Sequence, residues 1–156
     1  LFRSACLQNR ERSTGSRQEF PGWSTGNRIT TEERVITLTL QLFALMNQGS
    51  NRISVNPDDE NKYKNIGYSI RVLRDEHGES VDRRFNALLT SSDVDELSTH
   101  LRYLLNLLKA KTTGTYVNFP KLAEDMYWYS KGYGDSVKLS WAREYYRKKI
   151  EFDNEK

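Results

Sequence analysis

Hydrophobic residues recur at helical spacing through most of this chain. The clearest run lies between Asp93 and Lys109, where Val94, Leu97, Leu101, Leu104, Leu105 and Leu108 return at three- and four-residue steps and share one helix face. Asp93 can cap its start, and Glu96 three residues later completes the pattern of a capping box. The opposite face carries Asp95, Ser98, Arg102, Asn106 and Lys109. One face is thus left for a core and the other for water or a partner.

Thr30 to Gln48 is the second strong element. Ile36, Leu38, Leu40 and Leu42 alternate as in a strand, but Phe43, Ala44, Leu45 and Met46 break the alternation. Thr30 and Glu33 match a capping box, and Gly49 stands where a helix would end. Apolar residues on nearly every face predict a central, buried helix. Glu60 to Glu76 predicts another helix, with Tyr63, Ile66, Ile70 and Leu73 inward. Gly67 inside it costs about 1 kcal/mol against Ala, which points to a close helix contact. Gly78 is expected to end that helix and Ser80 to cap a new one carrying Val81, Phe85, Leu88 and Leu89.

Further on, Asn118 is placed to cap a helix with Pro120 in its first turn. Its inner face is Leu122, Ala123 and Met126. Gly132 and Gly134 are expected to break the chain, and Ser136 to restart it as a last helix with Trp141, Tyr145 and Ile150 inward. Phe20 and Trp23 are expected to dock the Arg- and Ser-rich first 29 residues onto the core. These six or seven helices, with no convincing strand pair, predict an all-α compact bundle. At 156 residues it forms one domain of two small lobes, about 1–78 and 79–156.

Composition narrows the class. No apolar run approaches the roughly 20 residues of a bilayer span, so no membrane association and no secretory leader are expected. The single cysteine, Cys6, excludes an internal disulfide framework and points to the reducing cytoplasm. Net charge is only +3, but it is segregated. No acid falls between Glu96 and Glu124, where Arg102, Lys109, Lys111 and Lys121 lie. The last predicted helix carries Lys138, Arg143, Arg147, Lys148 and Lys149. Such segregation predicts either a basic stripe for an anionic partner or ordinary solvated helix faces.

Catalytic chemistry is hard to find. The two histidines, His77 and His100, have no partner at metal-ligand spacing, and one cysteine makes no zinc site. No glycine-rich phosphate loop follows a strand. No enzyme, metal or cofactor is therefore expected. The run Tyr127–Trp128–Tyr129 offers rings that could stack on bases, although core packing is the more ordinary use.

Five runs carry a family resemblance by their order and spacing. They are Ile66-Gly67-Tyr68-Ser69-Ile70, then Arg83-Arg84-Phe85-Asn86-Ala87-Leu88-Leu89, then Leu97 to Leu108 with Leu101-Arg102. Val117-Asn118-Phe119-Pro120 through Met126 follows, and Lys138-Leu139-Ser140-Trp141-Ala142-Arg143-Glu144-Tyr145-Tyr146 closes the series. Together they resemble the CasB family, the small subunit of the type I-E CRISPR surveillance complex, Cascade.

The resemblance implies a non-catalytic helical subunit that joins the other Cascade subunits, usually as two copies. It lies along the guide RNA and the target DNA strand, and its basic surface holds the displaced DNA strand. Arg3, Arg83, Arg102 and Arg143 are the contacts it implies. Arg84 is added at a position that is often apolar in the family. Lys109, Lys111 and Arg147 join as candidates from the basic helix faces. The alternative is a helical protein–protein adaptor that binds no nucleic acid.

Overall fold

The structure, a computed structural model, describes residues 29–49, 64–111 and 116–147, without the side chains of residues 75–77 and 111. Arg3, Cys6, the Phe20 and Trp23 docking segment, Tyr63 and Ile150 lie outside the described residues. Five α-helices follow one another: α1 (Thr31–Asn47), α2 (Ile66–Thr90), α3 (Val94–Lys111), α4 (Phe119–Trp128) and α5 (Gly134–Tyr146). A wide turn, Tyr129–Tyr133, joins α4 to α5, and no strand occurs among the described residues. The fold is all-α, as the periodicity predicts.

α3 lies between two neighbours, α1 and α2. Leu97, Leu101, Leu104, Leu105 and Leu108 are all fully buried. Ser98 is buried with them rather than on the outer face. The reason is register, since 94, 98, 101, 105 and 108 form a second stripe beside 97, 101, 104 and 108. Two stripes make an apolar arc wide enough to meet two helices. Asp93 caps α3 as expected, its Oδ1 accepting from the N–H groups of Asp95 (2.9 Å) and Glu96 (2.8 Å). Glu96, however, does not return to Asp93. Its carboxylate accepts from the N–H and hydroxyl of Ser92 (2.7 and 2.8 Å), and those bonds hold its carboxyl below the usual range.

α1 begins with the expected reciprocal cap. The Thr30 hydroxyl accepts from the Glu33 N–H at 3.2 Å, and the Glu33 carboxylate accepts from the Thr30 N–H at 2.8 Å. Past its end, Gly49 takes the left-handed conformation, φ 74°. α1 is an outer helix, not a central one. Its buried stripe is Val35, Thr39, Leu42 and Met46, turned toward α3 and α4, while Ile36 and Leu40 stay 49% and 59% exposed. Apolar residues all round a helix bury only where neighbours exist on every side, and among the described residues α1 has them on one.

Helical bonding in α2 runs through Gly78, so no new helix begins at Ser80. α2 is nevertheless not straight. Ends of a straight helix this long would lie about 36 Å apart. Yet Gly67 meets the backbone of Trp141, while the carbonyl of Ser91, the residue after α2, accepts from Lys138 at 2.6 Å, less than one turn from Trp141 on α5. α2 therefore folds back between two arms with the same inward step: Ile66, Ile70, Leu73, and then Val81, Phe85, Leu88. Gly78 lies in the interval between them. Arg74 and Asp82 pair across it at 3.3 Å.

Asn65 starts α2, its Oδ1 accepting from the Tyr68 N–H, while its amide donates to the carbonyl and hydroxyl of Ser140 on α5, each at 3.1 Å. Asn118 and Pro120 open α4 as expected. α5 starts at Gly134, two residues before Ser136. A Cβ at Gly134 would stand 3.2 Å from the Tyr129 ring, so this entry to α5 is built on glycine. Val137, Trp141 and Tyr145 form the buried face of α5.

Gly67 has the tightest packing of the described glycines. A Cβ there would sit 2.1 Å from the Trp141 carbonyl oxygen. Gly67→Ala is expected to cost at least the 1–3 kcal/mol typical of overpacking, roughly, read as a lower denaturation midpoint. Gly78→Ala meets nothing within 4 Å and should stay within about 1 kcal/mol of the parent.

Candidate nucleic-acid interface

The basic residues divide by what they already hold. Lys109 leans onto α1 and donates to the carbonyls of Leu45 (2.8 Å) and Gln48. These carbonyls belong to the end of α1, where a cation complements the helix dipole. Lys138 donates to the carbonyl of Ser91 and lies over the Tyr129 ring. Lys121 bonds Glu124 (2.8 Å) and Asp125 (3.0 Å). Burial disfavours its ammonium, but the two carboxylates outweigh that and raise it above the usual lysine range. Lys131 pairs with Glu32 of α1 at 2.8 Å. Lys109, Lys131 and Lys138 tie separate segments together, whereas Lys121 holds two carboxylates of its own helix, α4.

The arginines mostly face water. Arg102 on α3 is exposed and reaches Gln41 of α1 over a long 3.4 Å. It shares the α1 side of α3 with Lys109, as their two-turn spacing predicts. Arg34 pairs with Asp95 on the same seam. Lys111 closes α3, and its side chain is not described.

A second group lines the seam of α2 with α5. Tyr145 is fully buried and stacks on Phe85, centroids 3.8 Å apart. Burial, and then its bond to Asp82 (2.6 Å), push its phenol well above the ordinary tyrosine range. Tyr146 donates to Asn86 at 2.9 Å. Arg83 lies one turn before Asn86, and Arg143 one turn before Tyr146, so this bond brings their faces to one seam. Arg147 adjoins Tyr146 and holds Glu144 loosely at 3.5 Å. Arg83 is 83% exposed and its partner Glu79 is more exposed still. Arg84 and Arg143 are exposed and have no ion pair among the described residues.

The structure thus separates the candidate residues. Arg83, Arg143 and Arg147 share the α2–α5 seam, Arg102 and Lys109 belong to α1–α3, and Arg84 follows Arg83 on α2, about 100° further round the helix. Arg74, which sequence reasoning passed over, joins the first group with its guanidinium over the Tyr146 ring at 5.0 Å. Sequence reasoning also passed over Lys64 and Arg71, both of which lie against Tyr68. Their spacing of four and three residues about Tyr68 was a signal in plain sight.

Of the aromatic run, Tyr129 is buried and donates to the Ser91 carbonyl at 2.9 Å, while Trp128 stays 45% exposed and packs edge-on against Tyr133. His100 lies 3.8 Å from Glu96. Among the described residues no group of three His, Cys, Asp or Glu side chains comes together to hold a metal.

The family model described as CRISPR-associated protein Cse2 matches residues 4–146, nearly the whole chain. No curated protein and no solved structure matches it.

Lys109 provides the test of this sorting. Lys109→Met keeps most of the side-chain stem but leaves the α1 carbonyls without their cation. It is expected to lower stability by about 1 kcal/mol, the scale of one net hydrogen bond, with hydrogen exchange at the end of α1 accelerated. Arg102→Met should change neither reading.

Proposed function

The chain belongs to the CRISPR-associated Cse2 family, the CasB small subunits of the type I-E Cascade complex, and from that premise we propose that it binds nucleic acid there. In this reading it is a structural, non-catalytic subunit that holds the displaced DNA strand of the R-loop against the α2–α5 seam. Family membership is the observation that carries the reading. Exposed Arg83 and Arg143 beside one seam support it, because Arg143 has no ion pair among the described residues and Arg83 shares only a loose, solvent-exposed pair with Glu79 at 3.5 Å, which leaves both guanidiniums able to turn to phosphate.

The mechanism is electrostatic. Guide pairing reads the sequence while protein reads backbone, the logic of another RNA-guided effector class. Opening the duplex is a near-balanced exchange, so a few phosphate contacts that release counterions can tip it. Guide RNA, the target strand and a second copy of the chain are the further partners of this reading. A cytoplasmic location goes with it. No described helix is long and apolar enough to cross a membrane. A division into two lobes near residue 78, where α2 folds back, belongs to the same reading.

A second reading, a helical adaptor, is favoured by exposed Ile36 and Leu40 on α1. The two separate on charge. Arg83→Glu with Arg143→Glu should weaken displaced-strand protection in reconstituted Cascade without shifting sequence preference, since phosphates carry no base information. The log–log salt slope should fall by about 0.7 for each lost single-strand contact. Assembly should persist, because the apolar faces are untouched. Wild-type affinity and slope in an assembled double mutant would favour the adaptor. Arg102→Glu, measured the same way, asks whether the α1–α3 seam shares the strand.

A further inference from the structure

Lys64, Tyr68 and Arg71 make an unusual cluster. Lys64 stands just before the cap residue Asn65, and Tyr68 and Arg71 lie one turn apart on the first arm of α2. The Lys64 ammonium stands 4.2 Å from the centre of the Tyr68 ring and donates to its phenol oxygen at 3.1 Å. The Arg71 guanidinium carbon stands 4.9 Å from the same ring centre. Two cations are held against one ring, and neither has a carboxylate partner among the described residues. Every other lysine whose side chain is described holds a carboxylate or a backbone carbonyl.

Like charges drawn to one ring repel each other, and a bound anion would relieve that. The donor set is specific about which anion. It offers an ammonium, a guanidinium fork and a phenol O–H whose oxygen already accepts from Lys64, leaving its proton to donate outward. Three neighbouring donors with no carboxylate partner among the described side chains suit a tetrahedral oxyanion. With cations 4.2 Å and 4.9 Å from its centre, the ring serves the charges rather than a stacking base. Continuity adds to this. Arg74 lies one turn beyond Arg71, and its guanidinium lies over Tyr146, the residue bonded to Asn86 on the α2–α5 seam.

We propose that Lys64, Tyr68 and Arg71 form a phosphate site that takes one phosphodiester of a single nucleic-acid strand, extending the α2–α5 seam along the first arm of α2. The proposal rests on the nucleic-acid reading above and adds a site to it. Each cation that meets the strand releases counterions, so the site appears in the salt dependence of binding.

The probe is an oligothymidine strand, titrated with the full chain over a range of salt concentrations. Lys64→Gln with Arg71→Gln is expected to flatten the log–log slope by about 1.4, two contacts at roughly 0.7 each. Tyr68→Phe, which keeps the ring and removes one donor, should lower affinity while leaving the slope. It also serves as the test if the double variant melts early. Arg83→Gln with Arg143→Gln runs in parallel. If that pair flattens the slope while the Lys64 and Arg71 pair and Tyr68→Phe both match the parent, the new site is wrong and the seam reading stands. If the Lys64 and Arg71 pair alone flattens it, the site stands and the seam reading falls. Parent behaviour in all variants, or no binding by the parent chain, overturns both. Inorganic phosphate and pyrophosphate are the competing probes. A site filled by them at concentrations that leave oligothymidine bound, with the slope unchanged in the double variant, is a small-anion site and overturns the strand proposal.

Discussion

Trp141 fixes the position of three helices at once. Its backbone carbonyl lies where a side chain on Gly67 would have to be, which sets how closely α2 approaches α5. Its indole N–H donates to Asp125 at 2.7 Å, which ties α5 to α4. Asp125 is 7% exposed, and a carboxylate so buried is tolerable only when its oxygens are satisfied. The indole takes one oxygen and Lys121 the other. Removing one partner of such a buried arrangement typically costs about 3–5 kcal/mol, because the remaining charge is left without compensation. The apolar faces of the helices supply the driving force, and Trp141 supplies the register in which they meet.

Ser91 gives a second fixed point of the same kind. Its buried carbonyl accepts from both Tyr129 and Lys138, so the exit of α2, the turn after α4 and the body of α5 converge on one oxygen. Lysine and arginine have divided the work accordingly. A compact ammonium on a flexible stem suits a carbonyl or a single carboxylate, and Lys109, Lys121, Lys131 and Lys138 are used that way. A planar fork suits a phosphate, and Arg83, Arg84 and Arg143 are left in water. Net charge shows none of this, since internal and external cations count alike.

Local features were the legible ones. Thr30 with Glu33, Asp93, Asn118 with Pro120 and the leucine stripe of α3 are set by residues within a turn or two of each other, and each formed as its spacing required. The close approach at Gly67 was legible too, since a glycine inside a helix implies a reason for lacking a side chain. What depended on distant partners was not. Hydropathy marks α1 as apolar all round but does not say that its neighbours lie on one side. Gly78 reads as a stop, whereas helical bonding continues and only the axis turns. Lys109 and Lys138 look like surface charge until the α1 and Ser91 carbonyls are brought to them. The family could be recognised from the order of five runs. Its contact residues could not be sorted until the seams were formed.

The contact at Gly67 also limits how this chain can vary. Most tight contacts between side chains can be exchanged, a larger residue on one helix being offset by a smaller one on the other. Here the opposing group is a peptide carbonyl. No replacement of the indole at position 141 moves that oxygen, so no single second-site change there can rescue a side chain at position 67. Position 67 is closed by the path of another helix's main chain. Relaxing it would require shifting α5 bodily, and with it the indole bond to Asp125.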